Sequence, residues 1–129
     1  MALTACASRN SSASPNPRDA QVTAVQQRLT ALPGVTAAKA EFFQSLDTDP
    51  VVRADLTVGS TASAADAATL GDRTVEIIWR SPVRPLTSIA VVVHRQGGGQ
   101  YLLTRVEQLG DPAVAADLTK AYGPRTVAG

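Results

Sequence analysis

The run Ile89-Ala90-Val91-Val92-Val93 decides how this chain must be arranged. Four of its five residues are β-branched, which favours an extended strand. Apolar and polar positions do not alternate, so the strand is apolar on both faces and belongs at the centre of a sheet. The spacing predicts a strand over Leu86 to His94. Gln96-Gly97-Gly98-Gly99 turns the chain, and Gln100 to Val106 is the partner strand.

Upstream, Val22, Val25, Leu29 and Leu32 recur at three- and four-residue spacing and predict a helix from Asp19 to Leu32, stopped by Pro33-Gly34. Two further strands follow, Val35 to Gln44 and Val51 to Val58, with turn chemistry at Asp47-Thr48-Asp49-Pro50. Charge sets the expected register. With Phe42 opposite Val52, Glu41 faces Arg53 and Lys39 faces Asp55, and the apolar residues share the other face. A two-residue slip would set Glu41 against Asp55.

Between the two strand pairs, Ser63 and Asp66 form a variant capping box for a helix buried along Ala67, Leu70, Thr74 or Val75, and Ile78. Glu76 and Arg80 are an i,i+4 pair in the favourable order. Gly71 is either a close-packing point or a break. Ser81-Pro82 and Arg84-Pro85 end the helix and extend the linker. A last helix is capped by Asp111 with Pro112 in its first turn, shows Val114, Leu118 and Ala121/Tyr122 on one face, and ends at Gly123-Pro124. The expected fold is α+β: two helix-hairpin (αββ) units plus a C-terminal helix, a four-stranded antiparallel sheet, and helices packed mainly on one face.

Within 129 residues this makes one domain over 19–123, preceded over 1–18 by a short cysteine-containing start and a flexible tether, and followed by a short tail over 124–129. The aromatic side chains are only Phe42, Phe43, Trp79, Tyr101 and Tyr122, so small and branched aliphatic residues must build the core. Ten arginines against two lysines, with abundant alanine, point to a GC-rich coding bias of the actinobacterial kind. A net charge of +1 gives no basic face for nucleic acid. A single cysteine provides neither an internal disulfide nor a thiolate metal site.

That cysteine has an informative context. Leu3-Thr4-Ala5-Cys6 resembles the lipobox of bacterial lipoproteins, in which a Cys after a small-residue cleavage site is lipidated. Ala7-Ser8-Arg9-Asn10-Ser11-Ser12-Ala13-Ser14-Pro15-Asn16-Pro17 then reads as a flexible tether. The resemblance implies a signal peptide, lipidation at Cys6 and extracytoplasmic anchoring to the cell membrane. The element order, with Leu32-Pro33-Gly34-Val35 between a helix and a strand, is similar to that of BON-type domains, small α+β modules of bacterial envelope proteins.

Catalytic and metal signals are weak. His94, the only histidine, has no identifiable nucleophile or carboxylate partner in the sequence. Gly97-Gly98-Gly99 precedes a strand where a phosphate loop would precede a helix. Asp47, Asp49 and Asp55 lack the glycine bend and distal glutamate of a calcium loop. Arg73, Arg80 and Arg84 read as a solvated helix face or a small anion-attracting patch. The expectation is no catalytic residue, no metal and no cofactor.

The apolar surplus is the stronger functional signal. Phe43, Val91, Val92 and Leu103 are the residues expected to form an interaction face on a sheet side that the helices leave uncovered. The expected function is a non-catalytic, lipid-tethered envelope module acting on a protein or envelope partner, or on a second copy of the chain. The alternative is an intracellular ligand-binding or regulatory domain that dimerises through its sheet.

Overall fold

The computed structural model describes residues 17–46, 49–83, 85–98 and 101–125. Cys6, the tether before Pro17, part of the first turn, Arg84, Gly99-Gln100 and the last four residues lie outside them. The order is α1 (Pro17–Thr30), β1 (Val35–Phe43), β2 (Val51–Val58), α2 (Ala64–Arg80), β3 (Ser88–Arg95), β4 (Tyr101–Gln108) and α3 (Pro112–Tyr122). The helix caps expected from sequence are present. Ser63 Oγ accepts from the Asp66 backbone N–H, and Asp66 Oδ2 accepts from that of Ser63. Asp111 Oδ1 accepts from Ala113 N–H at 2.9 Å. Helix α1 starts two residues earlier than its spacing implied, and Gly34, at φ 86°, supplies the left-handed step into β1.

The four strands form one sheet in the order β1-β2-β3-β4. The outer pairs are antiparallel, but β2 and β3 run parallel, so the sheet is mixed and the fully antiparallel expectation is corrected. The cause is the connection between them. Helix α2 has 17 residues and rises about 25 Å, close to the roughly 27 Å of an eight-residue strand. It therefore carries the chain back to the end of the sheet where β2 began, and β3 must start there. The Pro50 carbonyl fixes that start. It accepts from Thr87 N–H at 2.9 Å, Ser88 N–H at 3.2 Å and Thr87 Oγ1 at 3.0 Å. Ser88 thus lies beside Val51, and the register runs unbroken to Arg95 beside Val58.

Between β1 and β2 the register is the one the charges imply, with Phe42 opposite Val52, Glu41 opposite Arg53 and Lys39 opposite Asp55. The ion pairs themselves turn along the strands: Lys39–Glu41 at 3.6 Å and Arg53–Asp55 at 3.2 Å.

All three helices pack on one sheet face. Val22, Val25 and Leu29 of α1, Ala67, Leu70, Val75, Ile78 and Trp79 of α2, and Leu118 of α3 join one buried cluster. Its strand members are Ala40, Val52, Ala54, Leu56, Val58, Ile89, Val91 and Val93. Each fully buried Val, Leu or Ile contributes about 1.5–3 kcal/mol. Gly71 is a close-packing point, since a Cβ there would collide with Leu103 Cδ2. At the other end of α2, Trp79 Nε1 donates to Gly123 O at 2.9 Å. Arg125, assigned to the tail from sequence, donates to the carbonyls of Trp79 and Val83.

Two expectations follow. Val91→Lys places an unpaired charge in the core at a cost of several kcal/mol, against a total stability of about 5–15 kcal/mol, and circular dichroism should show an unfolded chain. Val92→Lys, one residue along and on the other face beside Asp55, should remain folded. Asp66 is held below its ordinary pKa by the backbone N–H of Ser63 and then by the Ser63 side chain. A depressed carboxyl stabilises the fold above its unfolded pKa and loses that effect as pH falls through the folded value. Asp66→Asn should therefore lower the urea midpoint at neutral pH and reduce its fall below the ordinary carboxylate value of 3.8.

Candidate interaction surface

The sheet face opposite the helices is assembled by register alone. Reading across β1, β2, β3 and β4, its rows are Ala37-Thr57-His94-Tyr101, Lys39-Asp55-Val92-Thr104, Glu41-Arg53-Ala90-Val106 and Phe43-Val51-Ser88-Gln108. The β1/β2 half carries two cations and two anions. The β3/β4 half is apolar at Ala90, Val92 and Val106, and Phe43 and Val51 extend it diagonally to the corner. Phe43 is 43% exposed, Val106 53% and Tyr101 59%. Among the described residues, no helix covers this face.

Of the four residues expected to form the interaction face, the structure brings only two to it. Phe43 is exposed at its corner, and Val92 lies at its centre, buried and outside the helix-side cluster. Val91 and Leu103 face the other way. Val91 is fully buried and Leu103 packs against the core, so neither lies on the open face, which corrects the expectation for both. Strand alternation puts Val91 on the helix side with Ile89 and Val93, and on β4 a bulge sits next to Leu103. His94 pairs with Tyr101 while Val93 pairs with Leu103, which leaves Leu102 as the extra residue. Leu102 and Leu103 can thus both reach the core, although a regular strand would send them to opposite faces. Val106 and Tyr101, exposed on β4, were not singled out from the sequence. The alternation of β4 carries the signal for Val106 only once the bulge is known.

The helix side of β4 holds the charged pair Arg105 and Glu107. Arg105 Nε meets Glu107 Oε2 at 2.6 Å and its Nη1 meets Asp72 Oδ1 of α2 at 2.6 Å. Burial disfavours the Arg105 charge, but hydrogen bonds to Glu107 and then Asp72 outweigh this and raise its pKa. Tyr122 donates to the Asp72 carbonyl at 3.2 Å, and its pKa is raised by burial and then by the Asp72 charge. This cluster fastens α2 and α3 to an edge strand.

His94 has a neighbour that the sequence did not reveal. Its Nε2 lies 3.2 Å from Thr57 Oγ1, and Tyr101 meets its ring edge-on at 6.0 Å between centroids. A working nucleophile–base pair needs an orienting third group and a cleft for substrate. This pair sits on the open sheet face, outside the clefts beside α2 and α1. Gly97 and Gly98, both with φ above 90°, form the turn that follows β3. Among the described residues, no three His, Cys, Asp or Glu side chains come together as a metal site, and no helix is long and apolar enough to cross a membrane.

Comparison with protein-family models, with curated protein sequences and with solved structures finds no match. The surface therefore stands on its own geometry. Replacing Phe43 and Val106 together with Ser should lower the binding of an apolar-surface dye by more than half. The thermal midpoint should move by only about 2–6 °C, since exposed substitutions cost about 0.5 kcal/mol each.

Proposed function

We propose that this chain is a non-catalytic, lipid-tethered cell-envelope module that acts by binding a partner through the open face of its sheet. The observation that carries the binding half is the segregation of the two faces. Every described helix is spent on one side, while Phe43, Val106 and Tyr101 stand exposed on the other. Exposed apolar groups on one face, beside a half that carries the charges, mark an interaction surface. The anchoring half rests on Leu3-Thr4-Ala5-Cys6 and the polar segment after it, which resemble a lipobox and tether. Helix α1 begins beside the sheet end that carries Phe43, because Arg18 lies 4.4 Å over the Phe42 ring. A tether entering there would leave most of the open face free. The similarity to BON-type domains, and the reading of the chain as two αββ units, enters as chain order alone.

A second reading uses the same face for a second copy of the chain. Two cations and two anions on one half of the face, Lys39, Glu41, Arg53 and Asp55, permit an isologous contact without net repulsion. An intracellular ligand-binding or regulatory role, the alternative to envelope anchoring, is the reading that remains if the cysteine carries no lipid.

Expression from the native gene tests both halves. Wild-type protein should fractionate with membranes and take up labelled palmitate, and Cys6→Ser should do neither. Equal membrane recovery of both would overturn the anchor. Phe43→Lys with Val106→Lys, folded by circular dichroism, should abolish site-specific cross-linking from Tyr101 to any neighbour. Unchanged cross-linking would overturn the binding face. Solution mass separates a second copy from a different partner.

A further inference from the structure

A cleft of about 450 Å³ opens on the helix side, away from the sheet face and independent of the function proposed for it. One wall is α2, through Asp66, Thr69, Leu70 and Arg73, whose spacing of three, one and three places them on one helical face. The other wall is the Leu32-Pro33-Gly34 turn, and Val58 and Ala62 complete the lining. The volume falls in the range of small-molecule sites, about 300–1,000 Å³.

The charges in the cleft are unequal in availability. Asp66 is committed: its carboxylate accepts from Ser63 N–H in the capping box. Arg73 is free. Among the described arginines, Arg53, Arg80, Arg95 and Arg105 each hold a carboxylate or carbonyl. Arg18 and Arg125 are also engaged. Only Arg28 and Arg73 have no partner, and each lines a cleft on the flank of the α1–α2 seam. Arg73 lines the larger one, beside apolar Leu32, Val58 and Leu70.

We propose that this cleft binds a small monoanionic amphiphile, its oxyanion head on the Arg73 guanidinium and its apolar body against Leu32, Val58 and Leu70. A guanidinium presents a planar fork that fits a carboxylate or a phosphate ester. Asp66 lies seven residues away on the same helix, about 10.5 Å along its axis, and disfavours a second negative charge on the ligand.

The test is an NMR titration of the whole chain with octanoate below its micelle concentration. Octanoate should shift the Leu32, Val58 and Leu70 methyl signals saturably. Octanol, octyltrimethylammonium and acetate should each bind at least about tenfold more weakly, because each lacks the charge or the body. Arg73→Gln, at an exposed position, should weaken octanoate by at least about tenfold. Thr69→Trp should fill the cleft and block it, while Arg28→Gln should leave binding unchanged. Methyl octyl phosphate, a diester with a single negative charge, distinguishes the head: tighter binding than octanoate assigns a phosphate ester, weaker binding a carboxylate. No saturable shift at these methyls, octanol binding as tightly as octanoate, or an unaffected Arg73→Gln variant would each overturn the proposal.

Discussion

A helix long enough to span a sheet, placed between two strands, leaves the chain little choice about where the second strand begins. Helix α2 imposes that constraint here, and the Pro50 carbonyl receives its outcome by gathering three donors from Thr87 and Ser88. Parallel pairing of β2 with β3 follows. Each central strand then takes its own sequence neighbour on its outer side, β1 beside β2 and β4 beside β3. Because α1 and α2 are both needed over the broad run of Ala40, Ala54, Leu56, Val91 and Val93, the opposite face is left to strand side chains alone.

Much of this was legible in the sequence, for reasons that can be named. The caps at Ser63 and Asp111 were visible because capping is a local contest for a few backbone N–H groups. The β1–β2 register was visible because a slip would bring Glu41 against Asp55. The parallel pairing has its signature in Ile89 to Val93: an uninterrupted apolar run is what parallel, centrally placed strands show. Short turns imply antiparallel neighbours only within each outer pair and say nothing of the central one. The length of α2 was the better guide to direction.

The interaction face was half legible. Phe43 and Val92 could be assigned to a surplus of apolar residues, but Val91 lies in a run apolar on both faces, and Leu103 could not be assigned to a side without the bulge at Leu102. A bulge depends on the match between two strands and leaves no fixed mark on either one. The Arg105–Glu107–Asp72 cluster was illegible for a related reason. Its members lie on two elements, and only the packing of α2 over β4 brings Asp72 to Arg105. The unpartnered state of Arg73 is likewise a property of packing, since sequence shows a charge but not whether another group satisfies it.

The fold thus separates two kinds of surface. Its open face carries Phe43, Val106 and Tyr101 together with side chains of both charges, whereas the cleft beside α2 is lined by Arg73 and apolar side chains. Both depend on the crossover that keeps the helices to one side. Methyl-resolved nuclear Overhauser spectroscopy on the folded chain tests this most directly. The account predicts contacts of Ala54 with Val91 and of Leu56 with Val93, together with no contact from any α1, α2 or α3 methyl to Val106. Leu56 adjacent to Ile89, as antiparallel central strands would require, or a helix methyl in contact with Val106 would contradict it.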